Sequence, residues 1–308
     1  MQLLVFLLVY PLLWLISRLP FRVLYFLSDI LYPLVYYVIA YRKKVVRDNL
    51  ALVFPDKLET ERLSIEKKFF KHMCDMFLEM IKTMGIRHKQ LQKRFVFTNL
   101  EVLHQLEAQN KSIMLMFPHY ASWEWVIALD AHIKSKGYAI YLPVQNKYFD
   151  KLVRDIREKF GTTLITTKTT KEIVTRNRRA NQLSMYGILS DQSPMMSKAK
   201  HFAKFMEIMV PVHVGAEEMC KRLDLPAVYL KVEKIKRGHY RGTFKLLSER
   251  PNDLPNYNLT EAFLSEVEQS IMEVPEYYFW THKRWKHRNK VPTEYVNNGK
   301  KETAEKNL

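Results

Sequence analysis

The chain opens with two apolar runs and only then settles into regular alternation. Residues 3–16 are almost wholly apolar, and residues 23–41 form a second apolar run broken by Asp29 and Pro33. From Arg42 onward the spacing of apolar positions predicts helices and strands in turn. Residues 64–82 place Phe69, Phe70, Met73, Phe77, Met80 and Ile81 on one broad helical face. Residues 112–117 are a short apolar run stopped by Pro118, which predicts a buried strand. Residues 138–143 predict another strand. Residues 148–160 predict a helix with Gly161 at its stop position. Residues 162–166 and 184–189 read as strands, 215–223 as helix, and 258–272 as helix. Residues 227–233 and 240–247 read as strands around a turn at Arg237 and Gly238. This alternation predicts an α/β layered domain. Its extent is 42–290, behind the hydrophobic segment 1–41 and before a polar, frayed tail at 291–308. No internal repeat or linker interrupts it.

Charge separates the two parts. Residues 1–41 carry three charged side chains, Arg18, Arg22 and Asp29. The whole chain of 308 residues has 49 Lys+Arg against 32 Asp+Glu, a formal charge of +17, so the domain behind the apolar runs carries +16. A cleaved signal peptide fits poorly, because no basic stretch precedes the first run and no small-residue cleavage site follows it. The basic residues come afterwards (Arg18, Arg22, Arg42, Lys43, Lys44 and Arg47), which by the positive-inside rule places the domain in the cytoplasm. The first run is short for a span of about 20 residues. The second suffices only if Asp29 is tolerated. One span, a hairpin and an interfacial pair of helices all satisfy the pattern, against a pair of buried core helices as the plain alternative.

Composition removes several function classes. The apolar fraction of 47% is enough for a core, which excludes general disorder. Eight glycines form neither a dinucleotide-binding fingerprint nor a phosphate-binding P-loop. Two cysteines, Cys74 and Cys220, exclude a cysteine-rich zinc site or a disulfide scaffold and fit a reduced compartment. No H-E-x-x-H zinc motif and no G-x-S-x-G nucleophile turn is present.

The chemically loaded stretch follows the strand at 112–117. His119 leaves the strand just after Pro118, with Glu124 five residues on. Sites in α/β sheets lie beyond the carboxyl ends of strands. Ser122 is placed to cap a helix starting near Trp123, which lets His119 and Glu124 converge. A carboxylate on one imidazole nitrogen fixes the tautomer and raises basicity at the other, making a general base for an attacking hydroxyl. The plain alternative is a satisfied histidine at a strand end. His72, His88, His104 and His132 sit in polar or helical settings and read as surface residues. Residues 277–280 read as core or interfacial aromatics. Met195 and Met196 suit either an acyl groove or core filling.

The motifs, taken in order, resemble those of the late (lauroyl/myristoyl-type) lipid A biosynthesis acyltransferases, within the lysophospholipid/glycerolipid acyltransferase superfamily whose hallmark is His-x4-Asp/Glu. The resemblance covers nearly the whole chain. After the hydrophobic start comes the segment 47–55, RDNLALVFP, then His119 to Glu124, then YLPVQNKYFD at 141–150. Arg157 falls where the family has a basic residue in the next helix. LSDQSP at 189–194, VPVHVG at 210–215 and WTHKRWKHR at 280–288 complete the set. Leu142 departs from the pattern, standing where a basic residue is usual, with Lys147 nearby as a substitute.

The resemblance implies a mixed sheet flanked by helices behind a membrane-anchoring N-terminal segment. It implies acyl transfer from an acyl thioester, on acyl carrier protein or coenzyme A, to a hydroxyl of a lipid A precursor at the cytoplasmic face of the inner membrane. His119 would be the base and Glu124 its orienting partner. Arg157, Asp191, Gln192, Asn146 and Asp150 would be accessory or substrate-binding residues, and His282, Lys283 and Arg284 the C-terminal basic motif. No covalent acyl-enzyme is implied, because the thioester is already activated, and the resemblance implies no metal and no cofactor beyond that co-substrate. Acyl transfer to an aminolipid or glycerolipid is the nearest alternative, and a basic, non-enzymatic membrane-binding protein the more distant one.

The basic clusters at 176–179, 231–245 and 281–290 allow four readings: a nucleic-acid groove, an anionic membrane surface, a dock for acidic acyl carrier protein, or a solvated face. No nucleic-acid module is present, and the apolar N-terminus favours lipid over nucleic acid.

Overall fold

The computed structural model describes residues 2–295. It begins with helices α1 (Gln2–Arg18) and α2 (Phe21–Pro33). The latter widens into a π-helix, Leu34–Ile39, past Pro33, and ends at Ala40 and Arg42, both in the left-handed region. Helices α3 (Lys43–Val53), α4 (Glu59–Lys82) and α5 (His88–Gln92) follow. Next come β1 (Phe95–Thr98), α6 (Glu101–Ala108), β2 (Ile113–Phe117), a 3-10 helix at Trp123–Ala131, β3 (Lys136–Tyr141), α7 (Lys147–Glu158), β4 (Thr163–Thr166), α8 (Thr170–Arg179) and β5 (Ser184–Leu189). A hairpin of β6 (His201–Phe205) and β7 (Ile208–Val212) leads to α9 (Gly215–Leu223), β8 (Ala227–Lys236), β9 (His239–Ser248) and α10 (Asn258–Glu273). The predicted tail is described only to Tyr295; residues 296–308 lie outside the described residues.

Seven strands form one mixed sheet in the order β1-β9-β8-β2-β5-β3-β4, with β6 and β7 apart as a two-stranded antiparallel pair. Strands β8, β2, β5, β3 and β4 run parallel, and β9 returns antiparallel to β8. The α/β reading therefore holds, with helices on both faces. Right-handed crossovers explain which face each helix takes. The paths β2 to β3 and β3 to β4 progress toward one edge and put the 3-10 helix and α7 on one face. The paths β4 to β5 and β5 to β8 run back and put α8 and α9 on the other. The connections after β2 and β5, neighbours in the sheet, thus leave on opposite faces. A crevice opens at such a point, beyond the carboxyl ends of the strands.

Helix α4 carries the N-terminal helices. Ser28 and Asp29 of α2 meet Asp75 and Arg237: the Ser28 hydroxyl donates to Asp75 at 2.7 Å, and Arg237 bridges Asp75 and Asp29 at 2.6 and 2.8 Å. Tyr25 and Tyr240 both donate to the buried Glu79, each at 2.8 Å. Tyr36 donates to Glu66, and Lys82 donates to the carbonyls of Ser17 and Leu19. Buried charges are tolerated only when paired in this way. His72, expected at the surface, is buried in this layer: Lys234 lies 3.1 Å from its Nδ1, and its ring packs edge-on against Tyr277. Spacing alone put His72 on a polar stripe, but that stripe is where α4 receives the β8–β9 turn.

The outward faces of α1, α2 and the π-helix after α2 stay apolar and exposed, including Leu4, Leu8, Leu12, Phe26 and Val38. Phe21–Ile39 is long and apolar enough to cross a membrane by length and composition. Patches of this kind mark interaction sites in soluble proteins, and here they fit membrane association.

Candidate active site

Strand β2 is buried along its whole length, and Pro118 ends it at the crevice. The chain then turns sharply, with Ala121 in the left-handed region. Segment 277–279 straps this turn in place. Phe279 N–H donates to the His119 carbonyl at 3.1 Å and Ala121 N–H to the Tyr277 carbonyl at 2.9 Å. The Tyr120 hydroxyl donates to the carbonyls of Ser270 and Val274 at the end of α10. The His119 ring lies against Trp123 and Phe279, with ring centres 5.2 and 6.2 Å away. The aromatic run 277–280 is thus core and strap: Tyr278 and Trp280 are buried.

The carboxylate that meets His119 is Asp191, not Glu124. Asp191 follows β5, the neighbour of β2, and its Oδ1 lies 2.7 Å from His119 Nδ1. Asp191 is fully buried. Burial opposes its ionisation, but the His119 contact outweighs it and holds the carboxyl below the usual range. With Nδ1 engaged, Nε2 is left as the nitrogen that can take a proton.

Glu124 instead pairs with Arg157 of α7. Both Glu124 oxygens lie 2.7 Å from Arg157 Nη2, and Arg157 Nε donates to Oε2 at 3.2 Å. The expected convergence of His119 and Glu124 assumed an α-helix capped by Ser122. The segment is a 3-10 helix, and the Ser122 side chain makes no cap hydrogen bond. Three residues per turn, after the left-handed Ala121, carry Glu124 toward α7. There it finds a forked guanidinium partner, which a carboxylate prefers to one imidazole N–H.

His119, Glu124 and Arg157 border a cavity of about 740 Å³, walled by Leu115, Phe117, Leu129, Ile133, Met185 and Ile188 among others, with Asp191 buried behind His119. Its far end lies at the amino ends of the strands. There Asp130 packs directly on Gly137, where a side-chain carbon would collide, lies close to Gly161, and accepts from the Thr162 hydroxyl. Burial pushes the Asp130 carboxyl above its usual range.

The remaining expected residues divide. Gln192 and Arg157 line the cavity. Asn146 and Asp150 do not. Asn146 caps α7 by accepting from Tyr148 N–H at 3.0 Å, and Asp150 holds the loop before α7 through Val144 N–H at 2.9 Å and the Tyr141 hydroxyl at 3.2 Å. Leu142 is 76% exposed at the cavity's edge. Met195 is exposed, and neither Met195 nor Met196 lines the cavity. His282 accepts from Ser193 N–H at 3.2 Å, two residues past Asp191. Burial pushes His282 down to about 4, so it stays neutral and able to accept. Arg284 is wholly buried and donates to the Pro211 carbonyl at 3.2 Å, while Lys283 is exposed. The C-terminal motif therefore holds the Asp191 turn. His213, unexpected from the sequence, also faces the cavity. Among the described residues no group of three His, Cys, Asp or Glu side chains is arranged to hold a metal ion.

Residues 1–287 match the family described as bacterial lipid A biosynthesis acyltransferase. The chain belongs to this family. It is similar to the lipid A biosynthesis lauroyltransferase of Escherichia coli (strain K12), 25% identical over 286 residues and 92% of each chain. It is also similar to the palmitoleoyltransferase of that organism, 24% identical over 90% of this chain and 89% of that one. To the myristoyltransferase of the same organism it is 23% identical over 78% and 74%. The acyltransferase thus carries its histidine–carboxylate pair at the crevice where the sheet's connections diverge.

Proposed function

We propose that this acyltransferase moves a fatty acyl chain from an acyl thioester to a hydroxyl of a lipid A precursor, at the cytoplasmic face of the inner membrane. The single observation that carries the mechanism is the His119–Asp191 pair, 2.7 Å apart, at the rim of a largely apolar cavity. Asp191 orients the ring and stabilises the imidazolium that forms. His119 Nε2 takes the proton of the acceptor hydroxyl as its oxygen attacks the thioester carbonyl. The tetrahedral intermediate then expels the thiolate, which recovers that proton from His119, leaving an ester and a free thiol. No covalent acyl-enzyme and no cofactor beyond the thioester co-substrate is required.

Arg157 borders the same cavity. Its Nη1, which the Glu124 pair leaves uncommitted, is the donor this reading assigns to the developing oxyanion. Glu124 is then a positioning residue for Arg157. The basic domain suits a donor held on acidic acyl carrier protein and an anionic lipid surface.

The test uses purified full-length protein with an acyl thioester and a lipid A precursor. His119→Ala should lose at least about a hundredfold in kcat, the lower bound for general-base catalysis. Near-parental turnover in that variant would overturn the mechanism. Mass spectrometry of lipid A from cells with and without the gene tests the acceptor: an unchanged acyl count excludes lipid A and points to an aminolipid or glycerolipid.

A further inference from the structure

The cavity at His119 has two lobes, on opposite faces of the sheet. Side chains alternate along a strand, and partners in parallel register share a face. Leu115, Gly187 and Ala139 are in register across β2, β5 and β3, and all three line the cavity. Theirs is the face of the 3-10 helix, because Gly137, two residues before Ala139, abuts Asp130. Tyr138 is in register with Tyr186, whose hydroxyl accepts from Asn177 of α8. Tyr138, Ile140 and Ile188 therefore point to the α8 face, and they line the same cavity. The space wraps around the carboxyl edge of the sheet, where His119 and Gln192 sit.

The lobes differ in charge. In the first, Asp130 closes the far end and Arg157 is matched by Glu124. The second is bordered by Lys171 of α8 and Arg222 of α9. Both side chains are exposed, and neither is in an ion pair among the described residues. The acids of α9 are committed elsewhere, Glu217 to Lys221 at 3.5 Å and Glu218 to Lys200 at 2.6 Å. The walls between these cations, Ile140, Ile188 and Met219, are apolar. Hydrocarbon walls under two uncommitted cations suit an amphiphile bearing phosphate, which a guanidinium can grip with two parallel hydrogen bonds.

We propose that this second lobe binds the lipid acceptor, with Lys171, in the first turn of α8, and Arg222, in the last turn of α9, contacting its phosphorylated headgroup from two sides, while the donor's acyl chain occupies the first lobe. The two substrates then reach His119 from opposite faces of the sheet. The inference rests on the acyl-transfer reading above. The closed lobe with its matched charges suits one uncharged chain. The cation-bordered lobe suits a phosphorylated glycolipid.

The experiment compares parent and Lys171→Ala/Arg222→Ala proteins, full length in detergent micelles. The probes are a phosphorylated lipid A precursor, the same lipid after phosphatase treatment, and a fatty acyl thioester. Both side chains are exposed, so the thermal midpoint should not move. The KM for the phosphorylated acceptor should rise at least about tenfold, as expected for losing charged hydrogen bonds. The kcat and the KM for the thioester should stay put, and the parent's preference for phosphorylated acceptor should vanish in the variant. Unchanged acceptor KM overturns the proposal. A rise in the thioester KM instead assigns the lobe to the donor's phosphate and overturns it too. A parent that acylates none of these lipids overturns the acyl-transfer reading itself, a failure distinct from the other two.

Discussion

Asp191 stands 72 residues from His119 along the chain and 2.7 Å from it in space. That separation is why spacing rules selected Glu124, which lies only five residues away. The two carboxylates make separable predictions. Asp191→Asn should lower kcat by about a hundredfold or more while leaving KM near the parent value, because the amide can present its N–H to Nδ1 and favour the wrong tautomer. Glu124→Gln should leave the pH dependence of the His119 base in place and lower kcat through a misplaced Arg157. A pH–rate profile of both variants checks this. At the other end of the cavity, Gly137→Ala drives a methyl group into Asp130. It should cost about 1–3 kcal/mol of stability, the usual range for overpacking, read by denaturant titration.

Helix α4 shows how an element can be legible in outline and misread in detail. Its apolar face was evident from the spacing of Phe69, Phe70 and Met73, all buried, whereas Phe77, read onto the same face, is exposed. Yet Glu66, Asp75, Glu79 and Lys82 are also buried, since each has a partner from α1, α2, α3 or β9. Arg237→Met leaves Asp75 with Lys234 and Ser28 only. It should destabilise the protein by about 3 kcal/mol, the low end for breaking a buried pair because Arg237 is partly exposed. Burial pushes Glu79 from its ordinary 4.5 up to about 7. Between those values the folded chain holds a proton that the unfolded chain has released, so this group's contribution to stability falls as pH rises. Glu79→Gln removes the titration. The stability difference between variant and parent should therefore shift in the variant's favour from pH 5 to pH 8, measured by denaturant midpoints.

Other elements were missed for local reasons. Strand β1 is four residues long with alternate positions exposed, too short to register as a pattern. The β6–β7 hairpin turns through Met206 and Glu207, both at positive φ. Hairpins of that geometry normally announce themselves by Asn-Gly or Asp-Gly, and this one does not. Pro211 inside β7 is allowed because the pair stands apart from the main sheet, where strand edges are free.

For the whole molecule, α1 and α2 both present exposed apolar faces. Phe6 of α1 packs on Tyr148 and Phe149 of α7, ring centres 5.7 and 5.3 Å away. The greasy surface therefore reaches the loop carrying Leu142 at the cavity's edge. On the proposed function, a lipid acceptor leaves the membrane beside the site that uses it. The protein should stay on phosphatidylglycerol-containing vesicles in high salt and be released by detergent. Hydrocarbon contact is insensitive to ionic strength, whereas contacts of the basic surface are screened. Release by salt alone would show that the basic surface, not α1 and α2, holds the membrane.

The sequence by itself determined the elements that announce themselves within a dozen residues: the apolar start, the buried strand ending at Pro118, the α/β alternation, and His119 at a strand's carboxyl end. These depend on local periodicity and on where backbone hydrogen bonding must stop. Tertiary structure alone decided which carboxylate reaches His119, that Glu124 belongs to Arg157, and that the C-terminal basic motif holds the Asp191 turn. Those choices follow from strand order. Placing β5 beside β2 brings Asp191 to His119, and sending their connections to opposite faces opens the crevice between them, neither of which any short stretch of sequence encodes.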